Sequence, residues 1–160
     1  MRTDTAVVMI RLMHTQKRGL PFVLIAEDDA NDRLLIEHSF LGARLENGRH
    51  FVKDGAEAVL WLSHAVTESD PVLFPVPGLV ILDIHMPQKN GFEVLEWIRA
   101  QSKFRDTPVI IMTADDSPDK MERAIALGIH SYLLKAGDYG ELADFVGTFS
   151  VARLDLAPAQ

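Results

Sequence analysis

The chain has 160 residues, a length that suits one domain built around a single core. Hydrophobic residues make up 48% and charged residues 24%, which excludes a disordered chain, and the net charge of −7 removes any general attraction to nucleic acid or an anionic membrane surface. With no cysteine there is no disulfide, thiolate metal site or cysteine nucleophile, and no apolar run approaches the roughly 18 residues of a membrane span.

Residues 1–20 mix Arg2, Arg11, Lys17 and Arg18 with a short apolar cluster and show no clear period, so they read as an N-terminal extension, either frayed or an arm that packs on a partner. Ala6 to Ile10 is too short for a secretory h-region and no small-residue cleavage site follows it, which places the protein in the cytoplasm. Phe22 to Ala26 is a continuous apolar run of strand length that ends in Glu27, Asp28 and Asp29. A helix is predicted next, with Leu34, Leu35, His38 and Leu41 at helical spacings and Gly42 near its end. Arg49 to Val52 reads as a short strand, Asp54-Gly55 as a turn, and Ala56, Val59, Leu60 and Ser63 as the apolar face of a second helix. From His64 to Pro77 the pattern is lost among Pro71, Pro75 and Pro77, the mark of a long surface loop.

Leu79 to Leu82 are four consecutive apolar residues, the signature of a strand buried on both faces of a parallel sheet, and Asp83 follows at once. Met86-Pro87 forces a turn, and Asn90-Gly91 closes the loop before a helix carrying Phe92, Leu95, Trp97 and Ile98. Val109 to Met112 form a fourth strand followed by Thr113. Ser117, Pro118 and Asp119 supply an N-cap, a first-turn proline and a first-turn anion for the next helix, which Gly128 stops. Tyr132 to Leu134 form a fifth strand ending in Lys135; Gly137-Asp138 precede a last helix with Leu142, Phe145, Val146 and Phe149 on one face. Strand then helix, five times, argues a parallel sheet wound on both sides by right-handed crossovers. Domain bounds of 21–150, with a tail over 151–160, follow from this pattern.

Four strands end in polar residues of particular kinds: Glu27 and Asp28, Asp83, Thr113, and Lys135. The carboxyl ends of parallel strands share one rim, where open α/β sheets bind ligands, so these groups converge. Carboxylates at close quarters repel unless a cation joins them, and an oxygen-only set suits a hard ion such as Mg²⁺, which favours carboxylates, water and phosphate oxygens. A carboxylate nucleophile forms an acyl phosphate, the ion and Lys135 neutralise the transferring group, and Thr113 donates to one of its oxygens. Glu27 to Asp29 alone also fit a helix N-terminal acid cluster, and Asp83 alone a turn-capping Asp. His38, His50, His64 and His130 show no metal-ligand spacing and read as structural or surface residues; Trp61 and Trp97 read as packing.

Ala-Glu-Asp-Asp at 26–29, Leu-Asp-Ile-His-Met-Pro with Asn90-Gly91, Met-Thr-Ala at 112–114 and Lys135 together resemble the receiver domain of two-component response regulators over residues 21 to about 150. The resemblance implies an α/β, doubly wound, five-stranded sheet of flavodoxin-like order 2-1-3-4-5 with helices on both faces. It implies that Asp83 is the phosphoacceptor, that Asp28, Asp83, the backbone carbonyl of His85 and, through water, Glu27 hold Mg²⁺ or Mn²⁺, and that Thr113 and Tyr132 act as the switch pair. His85 and Asp115 would tune the lifetime of the acyl phosphate. The implied partners are a sensor histidine kinase and a downstream protein, with no nucleic acid or membrane, and a homodimer through the fourth helix, fifth strand and fifth helix is open. The long loop and the lack of an output domain resemble stand-alone receivers serving phytochrome-type kinases. One departure stands out: the family usually has a cis proline after the lysine, and Ala136-Gly137 occur here, so a cis bond would carry about 2.5–4 kcal/mol of strain. Two alternatives remain at this point: a phosphorylation-independent interaction module with a degenerate pocket, and a phosphatase of the haloacid-dehalogenase type, which would want a second acid where His85 stands. A flavin or nucleotide carrier fits poorly, since three acids occupy the first loop where phosphate needs backbone donors.

Overall fold

The computed structural model describes residues 19–67, 71–135 and 139–155, with the side chains of 153–155 left aside. Five strands, β1 (Val23–Ala26), β2 (Arg49–Val52), β3 (Leu79–Leu82), β4 (Val109–Thr113) and β5 (Ser131–Leu134), pair in parallel in the order β2-β1-β3-β4-β5. They alternate with α1 (Ala30–Gly42), α2 (Gly55–Thr67), α3 (Gly91–Ala100), α4 (Pro118–Ala126) and α5 (Gly140–Asp155). This is the flavodoxin-like α/β order expected above.

The strands are apolar on both faces because both faces are covered. Leu24, Ala26, Val80, Leu82, Val109 and Ile111 point into one core with Ala58, Trp61 and Leu62 of α2, Val94, Leu95 and Ile98 of α3 and Ala124 of α4. Val23, Ile25, Leu79, Ile81, Ile110 and Met112 point into the other, against Ile36 and Phe40 of α1 and Leu142 and Val146 of α5. Each fully buried side chain of this size contributes about 1.5–3 kcal/mol. β1, β3 and β4 are the inner strands of the sheet, so the rim at their carboxyl ends is anchored by a paired strand on each side.

Several local expectations are corrected. In α1 the residues against the sheet are Ile36 and Phe40, whereas Leu34, Leu35 and Leu41 are exposed. The helix is apolar on more than one side, so periodicity alone does not identify the inner stripe. In α2 the buried face is Ala58, Trp61, Leu62 and Ala65 and Leu60 is exposed; the helix also runs through His64 to Thr67, which shortens the expected loop. His64 stacks on Phe74, 4.7 Å between ring centroids, so the proline-rich connection packs back on α2. Ser117 does precede α4, but its side chain makes no capping bond. Gly128, at φ +75°, ends the α4 segment in the left-handed conformation that glycine adopts without strain. Helix α5 continues to Asp155, past the expected boundary at residue 150. The extension over 1–18, the Lys135–Ala136 junction and Gly137-Asp138 lie outside the described residues.

Candidate functional site

Asp83 follows β3 directly, and its N–H donates to the Ala26 carbonyl at 3.1 Å, which ties it to the end of β1. Its side chain is 7% exposed. The loop beyond is tight: Gly91 N–H donates to the Ile84 carbonyl at 2.9 Å, and a Cβ at Gly91 would stand 2.3 Å from the Asp83 carbonyl oxygen. Only glycine fits there, which gives the Asn90-Gly91 pair a steric reason. Asn90 then opens α3 with a capping box, accepting from Glu93 N–H at 3.0 Å while its own N–H donates to Glu93 Oε2 at 2.8 Å.

The three acids after β1 divide their roles. Asp29 is the N-cap of α1, accepting from the N–H groups of Asn31 and Asp32 at 2.8 and 2.9 Å. Glu27 turns inward, buried, with Oε1 accepting from Asp29 N–H at 3.0 Å, and Asp28 is exposed beside it. Carboxylate oxygens of Glu27, Asp28 and Asp83 lie within 4.8 Å of one another. Lys135 enters from β5, its N–H donating to the Thr113 carbonyl at 2.8 Å. Its ammonium meets Glu27 Oε2 at 2.7 Å, Asp83 Oδ2 at 2.8 Å and Asp32 Oδ2 at 2.8 Å. Sequence reasoning missed Asp32, an acid in the first turn of α1 three residues after the Asp29 N-cap. It also missed Tyr139, whose hydroxyl donates to Asp32 Oδ1 at 2.7 Å and which no sequence spacing marks.

Burial sets the electrostatics. The low-dielectric surroundings push Glu27 up to about 7 even though Lys135 and the Asp29 N–H act the other way. Burial opposes the charge on Lys135 too, but the hydrogen bonds it donates to Asp32, Asp83 and Glu27 outweigh it and hold the ammonium above its usual range. Lys135 meets Glu27, Asp32 and Asp83, and Asp28 adds a fourth carboxylate beside Glu27 and Asp83, a gathering of negative charge that a divalent cation would relieve. The donor set fits such an ion: all oxygens, close enough to share one, and no thiolate or imidazole among them.

On the β4 side, Thr113 is fully buried and its Oγ1 accepts from Asp115 N–H at 3.3 Å. Asp115 is a junction. His85 Nε2 lies 2.8 Å from Asp115 Oδ2, Lys120 Nζ of α4 pairs with the same oxygen, and Ser117 Oγ donates to Oδ1. The Ser117 hydroxyl therefore serves Asp115 instead of capping α4. Hydrogen bonds from Lys120 first, then Ser117 and His85, hold the Asp115 carboxyl well below the usual carboxylate range. Tyr132, half-buried, donates from its hydroxyl to the Asp115 carbonyl at 2.7 Å. The structure thus joins His85, Asp115 and Tyr132, which lie far apart in sequence, and adds Lys120, which sequence reasoning did not single out.

A parallel five-stranded sheet with an acidic cluster and a lysine on its carboxyl rim defines a phosphoacceptor signalling domain, and the chain belongs to that family: the response regulator receiver domain matches residues 23–146. Response regulator Rcp1 of Synechocystis sp. is 25% identical over 124 residues, 78% of this chain and 82% of that one. Among solved structures, the Mn(2+)-bound form of response regulator Rcp1 aligns with a TM-score of 0.68 at 23% identity, covering 88% of this chain and 99% of the other, a likeness of fold. Response regulator RPA3017 in red light signaling of R. palustris aligns with a TM-score of 0.67 at 28% identity, covering 83% and 91%. The family is a two-component signalling module and not a conventional enzyme, which sets aside the haloacid-dehalogenase reading. Among the described residues no helix is long and apolar enough to cross a membrane.

Proposed function

We propose that this protein is a response regulator in which Asp83 accepts a phosphoryl group from a histidine kinase phosphohistidine. The observation that carries the reading is the contact of the Lys135 ammonium with the Asp83 carboxylate at 2.8 Å, a buried nucleophile with its counter-charge in place. Asp83 Oδ forms the new O–P bond as the N–P bond to the kinase histidine breaks, and the histidine nitrogen keeps the electron pair. Glu27, Asp28, Asp83 and the His85 carbonyl are the groups that would hold Mg²⁺ or Mn²⁺, with Glu27 acting through water; the bound ion supplies charge neutralisation of the phosphoryl oxygens. Lys135 neutralises a further oxygen, and the buried Thr113 hydroxyl rotates from Asp115 N–H to donate to another. That rotation frees a bond at Asp115, whose carbonyl holds Tyr132, so the signal passes to the surface of α4, β5 and α5. Exposed Ile125 and Leu134 give that surface apolar area for a downstream protein or a second copy of the chain. The exposed Leu34 and Leu35 of α1, one to two turns from the rim, offer area for the kinase.

The likeness to the bacteriophytochrome response regulator RtBRR, with a TM-score of 0.66 at 25% identity over 88% of this chain and 81% of that one, and to the red-light regulator of R. palustris supports a phytochrome-type kinase as the phosphoryl source. The test is intact mass after incubation with Mg²⁺ and acetyl phosphate, with Asp83→Asn alongside. A single phosphoryl adduct on the parent alone is the expected result; equal labelling of both proteins, or of neither, overturns the assignment.

A further inference from the structure

We propose that Asp32 and Tyr139 form a strut that aims Lys135 at Asp83, which makes both of them positioning residues for phosphoryl acceptance; the consequence for acceptance rests on the function proposed above. A lysine ammonium is a point charge on a flexible four-carbon stem, so its direction must come from its partners. Lys135 has three such partners, one for each N–H: Glu27, Asp83 and Asp32. Glu27 and Asp83 belong to the carboxylate group suited to a divalent cation, and an ion there competes for their oxygens. Asp32 does not belong to that group, so it is the partner that remains to hold the ammonium when the others are engaged.

Asp32 is itself held. It sits in the first turn of α1 with its N–H on the Asp29 cap, and the oxygen not facing Lys135 accepts the Tyr139 hydroxyl at 2.7 Å. Tyr139 is 4% exposed, packs into the core on the α1 and α5 side of the sheet, and has φ +61°, the left-handed region that a tyrosine rarely adopts. A bulky residue persists there only when its surroundings over-determine it. Burial pushes the phenol up, and the Asp32 carboxylate pushes it further, so it stays a donor. Burial also acts upward on Asp32, but the bonds from Lys135 and Tyr139 prevail and keep it ionised. The chain Tyr139, Asp32, Lys135, Asp83 thus runs from a packed core residue to the phosphoacceptor through hydrogen bonds of 2.7–2.8 Å.

Tyr139→Phe removes one hydroxyl and Asp32→Asn one charge, and neither atom is placed on the phosphoryl group. The ordering of Lys135 is read directly from its side-chain ammonium cross-peak in ¹⁵N-lysine-labelled full-length protein, assigned by its loss in Lys135→Met. The expected result is a protected Lys135 signal in the parent that broadens away in both variants. Labelling by acetyl phosphate with Mg²⁺ should slow roughly tenfold in each, and the double variant should be no slower than the worse single. An unchanged Lys135 signal in both variants overturns the strut, and so does a parental labelling rate in variants whose signal is lost. A parent that takes no label at Asp83 defeats the functional reading alone, because the ammonium signal still decides whether Asp32 and Tyr139 order the lysine. Should Tyr139→Phe fail to fold, Asp32→Asn, at a side chain 26% exposed, carries the same test.

Discussion

The two halves of the rim are built differently. Under the ends of β1, β3 and β5, the side chains of Glu27, Asp83 and Lys135 are 2%, 7% and 11% exposed, and the sheet's own hydrogen bonds fix where each one starts. Beyond β4, the Asp115 side chain is 14% exposed, but its partners Lys120 and His85 are 36% and 60% exposed and reach it from a helix and a loop. Breaking a buried ion pair by removing one partner costs about 3–5 kcal/mol, because the other charge is stranded, whereas an exposed pair contributes about 0–1 kcal/mol. The first half is a fixed cage around the proposed acceptor, and the second is a set of ties weak enough to be exchanged. A phosphorylation switch needs both.

The sharpest way to break that contrast is Lys135→Met. It strands three carboxylates and removes the counter-charge from Asp83, so labelling by a small phosphodonor should fall by about 100-fold or more, measured by intact mass against time. A fall of only a few-fold would show that the cage is no better fixed than the loop side.

Next comes pH. Glu27 has its folded value raised from 4.5 to about 7, so its contribution to stability is complete below 4.5, where it is protonated in both states, and is lost as pH rises through about 7. The metal-free protein should therefore lose about 3 kcal/mol from this group between those limits, read from urea midpoints, and Glu27→Gln should flatten the slope. Asp115 has the opposite sign: its lowered value contributes stability above the unfolded value of 3.8 that is lost only under strongly acidic conditions. An unaltered slope in Glu27→Gln would assign the proton to another member of the cage.

On the exposed side the effects should be smaller and kinetic. Asp115→Ala releases His85 and Lys120 from their common oxygen and should open the acyl phosphate to water, speeding dephosphorylation by roughly two- to fivefold with Mg²⁺ affinity unchanged. Lys120→Met should move the rate in the same direction by less, and equal rates in all three proteins would remove Asp115 from lifetime control. Ser117→Ala is the smallest change. Its hydroxyl bonds Asp115 and does not cap α4, so thermal unfolding should register less than the ~1 kcal/mol typical of a lost N-cap.

How much of this was legible beforehand differs by residue. Asp83 was readable because a charge directly after four buried apolar residues must stand at a strand end, and Lys135 because the same logic applies to β5. Leu34 and Leu41 misled because an apolar residue at helical spacing does not announce which side the sheet will take. Asp32 carried only a weak signal, as an acid in the first turn of the helix that follows β1. Lys120 carried none, since its pairing with Asp115 depends on how α4 leaves the β4 rim.

By itself the sequence determined the five strands and the identity of the groups at their ends, because the chain's apolar runs and turn residues act locally, while the order of the strands in the sheet was implied by the family resemblance. Only the tertiary structure decided which acid faces which cation. Glu27 and Asp29 are two residues apart, yet one is buried against Lys135 and the other caps a helix, and Tyr139 reaches Asp32 across more than a hundred residues of chain. Direction and distance between side chains come from the packing of whole elements, and packing is a property that no single stretch of sequence contains.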